Sequence, residues 1–131
     1  MTTFVDTTIL LAVLDSDADE HRAAVDAFTT RGEGEHLVTT NYVTVEAMSV
    51  AHRRIGTVAV RTMREVLLAP VEVRFVDRGL HLEAETSYIR SIRRRSSLVD
   101  HVSFEFMRRR GITTALALDK DFARAGFEVV P

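Results

Sequence analysis

A chain of 131 residues is long enough to bury a core and too short for two independent ones, so one domain spanning residues 1–131 is expected. Its 46% hydrophobic and 27% charged content excludes a disordered chain, and the lack of cysteine removes disulfides, thiolate zinc sites and cysteine nucleophiles, which suits a reducing cytoplasm. A formal net charge of −2 gives no overall attraction to nucleic acid, so any such binding must run through local positive patches.

Thr2 to Val5 reads as a short strand, and Asp6 opens a helical run from Thr7 to Leu14. The apolar stretch at this start is short and interrupted by Asp6, which fits neither a signal peptide nor a membrane span, so the protein is expected to stay in the cytoplasm. A helix from Ala18 to Thr30 follows, then a glycine-rich turn at RGEGE and a strand from His36 to Thr39. Asn41 is a good cap for a helix reaching about Arg54, Gly56 breaks it, and another helix runs from Thr57 to Ala69 before Pro70. Val71 to Val76 is strand-like, and a long helix is expected from about Asp77 to Arg95. Ser97 caps a further helix ending at Gly111, ITTALAL forms a strand, and a short helix near Lys120 to Ala125 and a strand from Phe127 to Val130 close the chain. Alternating strands and helices of these lengths, without repeat or linker, imply a three-layer α/β/α domain around a mainly parallel sheet of about five strands. The near-continuous apolar character of FVDTTIL and ITTALAL fits a sheet covered on both faces.

In such a sheet the ligand crevice lies beyond the carboxyl ends of the strands, which singles out Asp6, Asp77 and Asp119. Each has a simpler explanation as a helix cap, and Asp100, three residues after Ser97, fits a capping box. Glu46 is different, because it falls inside a helix on the stripe shared by Val43 and Val50. A carboxylate buried there needs a cation, an arginine or a raised pKa to compensate its lost hydration, and a buried Glu–Arg pair is the structural alternative to a functional role. Clustered carboxylates are relieved by a divalent ion, and Mg2+ takes a few carboxylate oxygens and keeps waters that exchange for phosphate oxygens. That chemistry suits phosphodiester hydrolysis.

FVDTTILLAVLD, the mid-helix Glu46 in NYVTVEAM, SSLVDHVSFEFMRRRGI and ALALDKDF, in that order, resemble PIN domains, especially the VapC-type toxins of bacterial toxin–antitoxin pairs, and the resemblance covers essentially the whole chain. It implies a Mg2+-dependent endoribonuclease, with Mn2+ as an alternative ion, in which Asp6, Glu46, Asp100 and Asp119 form the acidic site and Asp6 and Asp100 are direct ligands. It also implies an RNA substrate, a cognate antitoxin protein and a homodimer. Thr8 matches a hydroxyl residue two after the first acid, with helix-start hydrogen bonding as the other reading, and His21 matches a structural histidine. Asp121 is either a peripheral carboxylate of the site or an exposed residue in the first turn of a helix. Two departures stand out: Ala117 replaces a hydroxyl residue that the family often has two before its last acid, and Asp77 has no counterpart among the family's functional residues, leaving it a cap or surface residue.

All 17 basic residues except Lys120 are arginine, and they cluster at Arg53–Arg54, Arg93–Arg95 and Arg108–Arg110. These clusters either grip phosphates or offset the dipoles of the helix ends where they are expected to lie. The histidines His21, His36, His52, His81 and His101 show no metal-binding spacing, and His101 should point about 100° away from its neighbour Asp100 around the helix. No serine-hydrolase elbow, P-loop or dinucleotide-binding glycine motif is present. The competing non-enzymatic reading is a PIN-like or receiver-like binding module, but no aspartate lies between Asp26 and Asp77, where a receiver's phosphoacceptor should be.

Overall fold

The computed structural model describes residues 1–131 as one five-stranded sheet, all parallel, flanked by helices. The strands are β1 (Thr2–Val5), β2 (His36–Thr40), β3 (Val71–Arg74), β4 (Thr114–Leu116) and β5 (Glu128–Val130), in the order β3-β2-β1-β4-β5. Thr3, Phe4 and Val5 in β1 and Thr114, Ala115 and Leu116 in β4 are all buried, and since successive side chains point to opposite faces, both faces of the sheet are covered. The helices are α1 (Thr7–Leu14), α2 (His21–Gly34), α3 (Asn41–Arg54), α4 (Thr57–Thr62), α5 (Arg78–Arg90), α6 (Leu98–Arg110) and α7 (Asp121–Arg124). The strand order reverses between β1 and β4, and the amide of Asp6 donates to the carbonyl of Leu116 at 3.0 Å, pinning the ends of these two strands together. A parallel sheet opens its crevice at such a reversal.

One face of β1 rests on aromatic side chains. Phe4 lies 5.9 Å from Phe106 on α6 and 6.1 Å from Phe122 on α7, ring centre to ring centre, and Phe104 meets the Phe122 ring edge-on at 5.0 Å. These contacts pack the middle of α6 and the start of α7 against β1.

Several element ends differ from the expectations drawn from sequence. α2 continues through the glycines of RGEGE to Gly34, held by an Arg31–Glu35 ion pair of 2.7 Å across its last turn, so that segment is helix rather than turn. Thr40, not Asn41, caps α3: its hydroxyl accepts from the Val43 amide, while the Asn41 side chain accepts from the Val76 amide at 2.8 Å and ties the helix start to the chain leaving β3. The helix expected over Thr57–Ala69 is α4 followed by a π-helical turn, Met63–Leu67, closed by the Leu68 amide on the Met63 carbonyl. α5 ends at Arg90, with the Ser91 amide on the Tyr88 carbonyl and the Ser91 hydroxyl near His101, which leaves Arg93–Arg95 beyond the helix end.

Phe122 is fully buried and touches three other phenylalanine rings. Phe122→Ala should therefore lower stability by about 3–5 kcal/mol, read as a lower urea midpoint with an unchanged denaturant slope. A loss below about 1 kcal/mol would contradict this packing.

Candidate metal centre

Asp6 follows β1 directly and caps α1. Its Oδ2 accepts from the Thr8 hydroxyl at 2.7 Å and from the Thr8 amide at 3.3 Å. The Thr8 hydroxyl in turn accepts from the Leu118 amide at 3.0 Å. Thr8 thus combines helix-start bonding with a bridge, fastening the chain beyond β4 to the first acid. Ala117, where a hydroxyl was noted as missing, is buried and bonded by its amide to the Val130 carbonyl at 3.0 Å.

Asp100 enters from α6 through the capping box expected of it. The Ser97 hydroxyl accepts from the Asp100 amide at 3.1 Å, and Asp100 Oδ2 accepts from the Ser97 amide at 3.0 Å. Asp119 leads into α7, and its Oδ1 accepts from the Asp121 amide at 2.8 Å. Both residues therefore do act as local braces, yet each does so with one oxygen, and the other oxygen of Asp100 and of Asp119 makes no hydrogen bond within the protein. A cap and a ligand can be the same side chain.

Asp100, Asp119 and Asp121 each offer a carboxylate oxygen, and all three oxygens lie within 4.8 Å of one another. Asp6 stands against this group, since its charge raises Asp100 and that of Asp119 raises Asp6. Burial is the main cause of the shifts. It pushes the Asp6 carboxyl up to about 6 against the Thr8 hydrogen bonds, and pushes Asp100 up to about 7 against the Ser97 amide, with Asp6, Asp119 and Asp121 adding repulsion. The donor set is all oxygen and crowded, with Arg124 on Asp121 its one paired cation, which suits a hard divalent cation.

Two expectations change. Asp121 is not exposed: it is 7% accessible, belongs to the acidic group, and pairs with Arg124 at 3.0 Å. Its place was readable only from the DKD spacing, in which a loop carboxylate and a first-turn carboxylate two residues apart flank one bend. Glu46 is not a buried charge. The buried stripe of α3 is Val43, Ala47 and Ala51, and Glu46 sits beside it, half-buried, on the wall of a shallow cleft of about 250 Å³ shared with Asn41, Tyr42, Val45 and Val99. No arginine pairs with it. It stands outside the group whose charges raise Asp100, on the side of that residue's neighbour Val99.

The remaining candidates take structural places. Asp77 caps α5, accepting from the Leu80 amide at 2.8 Å, and His21 bonds the Ala12 carbonyl at 2.8 Å, joining α2 to α1. His101 turns away from Asp100 into the contact with α5, within 3.0 Å of the Ser87 hydroxyl and 3.3 Å of the Ser91 hydroxyl. Its pKa is lowered by burial and then by the nearby Arg108 charge. Arg108 and Arg109 are paired with Glu105 and Glu83, and Arg110 lies over the Phe106 ring. No helix is long and apolar enough to cross a membrane.

Comparison with known proteins identifies the family. The family model described as PIN domain matches residues 3–128. The chain is 33% identical, over 130 residues and 98% of both chains, to the 23S rRNA-specific endonuclease VapC20 of Mycobacterium tuberculosis. The crystal structure of that protein, described as a Sarcin-Ricin loop cleaving toxin, superposes with a TM-score of 0.89 at 32% identity, covering all of both chains. VapBC2 from Rickettsia felis, bound to a DNA fragment from its promoter, shares the fold at a TM-score of 0.73 and 10% identity, covering 98% of this chain and 97% of that one. FitAcB from Neisseria gonorrhoeae does so at 0.68 and 13%, covering 100% and 97%. With four carboxyl groups gathered where the sheet order reverses, and a family match over nearly its whole length, the chain belongs to the PIN-domain family.

Proposed function

We propose that this protein is a divalent-cation-dependent endoribonuclease acting as the toxin of a toxin–antitoxin pair, with ribosomal RNA as its substrate class. The observation that carries the reading is full-length similarity to a 23S rRNA-specific endonuclease in a chain that assembles Asp6, Asp100, Asp119 and Asp121 at the open end of its sheet. Mg2+ is the proposed ion, with Mn2+ as the substitute. An antitoxin partner, a homodimer and action in the cytoplasm complete the reading.

In this reading Asp6 and Asp100 would hold the cation. A cation bound there supplies Lewis-acid polarisation of the scissile phosphate and of a water. Asp119 and Asp121 add negative charge around it, Asp119 through the oxygen its turn does not use and Asp121 while balanced by Arg124. Thr8 keeps Asp6 in one rotamer by donating to its Oδ2, leaving the rest of the carboxylate for the ion. Glu46, unpaired and half-exposed on the rim, accepts a proton from the attacking water or orients it.

Asp6→Asn and Asp100→Asn should each cut Mg2+-dependent RNA cleavage by at least ~100-fold and relieve growth inhibition. The metal-free fold should be no less stable, because an amide oxygen still accepts the capping bond while a desolvated charge is removed. Unchanged cleavage by both variants sinks the mechanism. Glu46→Gln should lower the cleavage rate by ~100-fold or more at unchanged stability, since no ion pair is broken; full activity would remove Glu46 from the site.

The raised carboxyls also set a pH dependence. Asp6 at about 6 and Asp100 at about 7 lie above the unfolded value of 3.8, so the folded protein binds more protons than the unfolded chain through this window. Their contribution therefore destabilises the metal-free protein progressively as pH rises from about 4 to about 7. A bound cation replaces those protons. Mg2+ should accordingly raise Tm more at about pH 8 than at about pH 5, and this difference should shrink in Asp6→Asn and Asp100→Asn. A Tm indifferent to Mg2+ and Mn2+ at both pH values would refute cation binding at these residues.

A further inference from the structure

Beside the acidic group lies a second, larger depression that the proposed chemistry leaves unused. It has a volume of about 770 Å³ and runs between the end of α5, the turn after it, α6 and α7. Its polar walls carry the guanidinium groups of Arg94, Arg95, Arg108 and Arg124, with Ser96 among the hydroxyls. The one carboxylate on its lining is Asp121, which also belongs to the acidic group, so the two sites meet at that residue.

The arginines are not equivalent. Arg108 is held by Glu105 at 2.9 Å and lies over the Phe127 ring at 5.6 Å, and Arg124 is held by Asp121. Arg94 and Arg95 are exposed, sit in the turn after α5, and have no carboxylate partner at all. In a protein of net charge −2, a groove whose four guanidiniums meet only the carboxylates of Asp121 and Glu105, leaving Arg94 and Arg95 unbalanced, is a local reversal of sign. Fixed guanidiniums next to free ones suit a run of phosphates, since each fork takes two anionic oxygens. The aromatic residues there are recessed, with His101 at 8% and Phe104 at 4% accessible. With no exposed ring to stack a base and two unpaired guanidiniums on its wall, the groove fits a sugar–phosphate backbone better than bases.

We propose that this groove is the track for the RNA backbone flanking the scissile phosphate, with Arg94 and Arg95 as positioning residues that set substrate affinity and register. This rests on the ribonuclease reading and adds where the substrate lies. His101, turned into the groove wall, contributes shape and hydrogen bonding to Ser87 and Ser91.

The test measures binding of a fluorescein-labelled RNA stem-loop carrying the sarcin–ricin sequence across a range of salt concentrations, in an Asp6→Asn background that binds without cutting. Single-turnover cleavage is measured in the otherwise wild-type protein. Arg94→Gln/Arg95→Gln should weaken binding ~10-fold at about 150 mM salt and reduce the slope of log Kd against log salt by ~1.4, the share of two single-strand phosphate contacts. It should raise the half-saturating protein concentration in cleavage while the rate at saturation changes less than about threefold. Arg94→Lys/Arg95→Lys should retain the salt slope, and Arg53→Gln/Arg54→Gln, at the end of α3, should change neither quantity. Unchanged affinity and slope in the Arg94/Arg95 glutamine variant, in a protein that still cleaves, overturns the groove alone and points to a protein partner there. Wild-type protein that neither binds nor cuts RNA overturns the ribonuclease reading and the groove with it.

Discussion

Carboxyl groups brought together at the end of a sheet lose hydration and repel one another, and the rest of this structure is arranged around holding them there regardless. Asp6 and Asp100 carry that cost, since burial pushes one carboxyl up to about 6 and the other to about 7. What holds them is local backbone structure: a helix cap, a capping box and a turn, each using an oxygen of the carboxylate as its acceptor. The larger scaffold positions those local devices. Reversal of strand order between β1 and β4 puts two of the acids on neighbouring strand ends, and the phenylalanine packing seats α6 and α7 so that the other two arrive from the side.

This explains why reading the acids as caps and reading them as a cation site do not compete. Residue by residue, the capping explanation is correct for Asp6, Asp77 and Asp100. Only position in the sheet separates them: Asp77 follows β3, an edge strand away from the reversal, while Asp6 and Asp100 reach its centre. The Thr8 hydroxyl adds the connection that sequence spacing alone cannot show, because its second partner, Leu118, lies 110 residues away.

Much of the fold was legible because strand and helix periods are strong in β1, α1 and α6, whose ends were placed correctly, including the Ser97 cap and the Gly111 stop. The misplaced ends have a common cause, in that long-range partners overrode local propensity. Two glycines remain helical in α2, Asn41 gives its side chain to Val76 rather than to its own helix, and Ser91, at the end of α5, turns its hydroxyl toward His101. Glu46 was singled out for a reason that does not hold. It is not buried on an apolar stripe, because small residues, Ala47 and Ala51, carry the contact and leave the glutamate at its margin. Asp121 was undervalued, since nothing local distinguishes an exposed first-turn aspartate from one folded under α7.

Asp100 and His101 are consecutive on α6, yet one faces the acids and the other the arginine-walled groove. The helix is therefore a shared axle between two surfaces of opposite charge. A rotation of a few degrees about its axis, or a slide along it, would displace the carboxylate and the groove wall together, because an α-helix transmits such motion without bending over one turn. No residue of α6 from Leu98 to Met107 is exposed, so its setting is fixed by the elements packed on it, and a change in its contact with α5 would reach both surfaces at once.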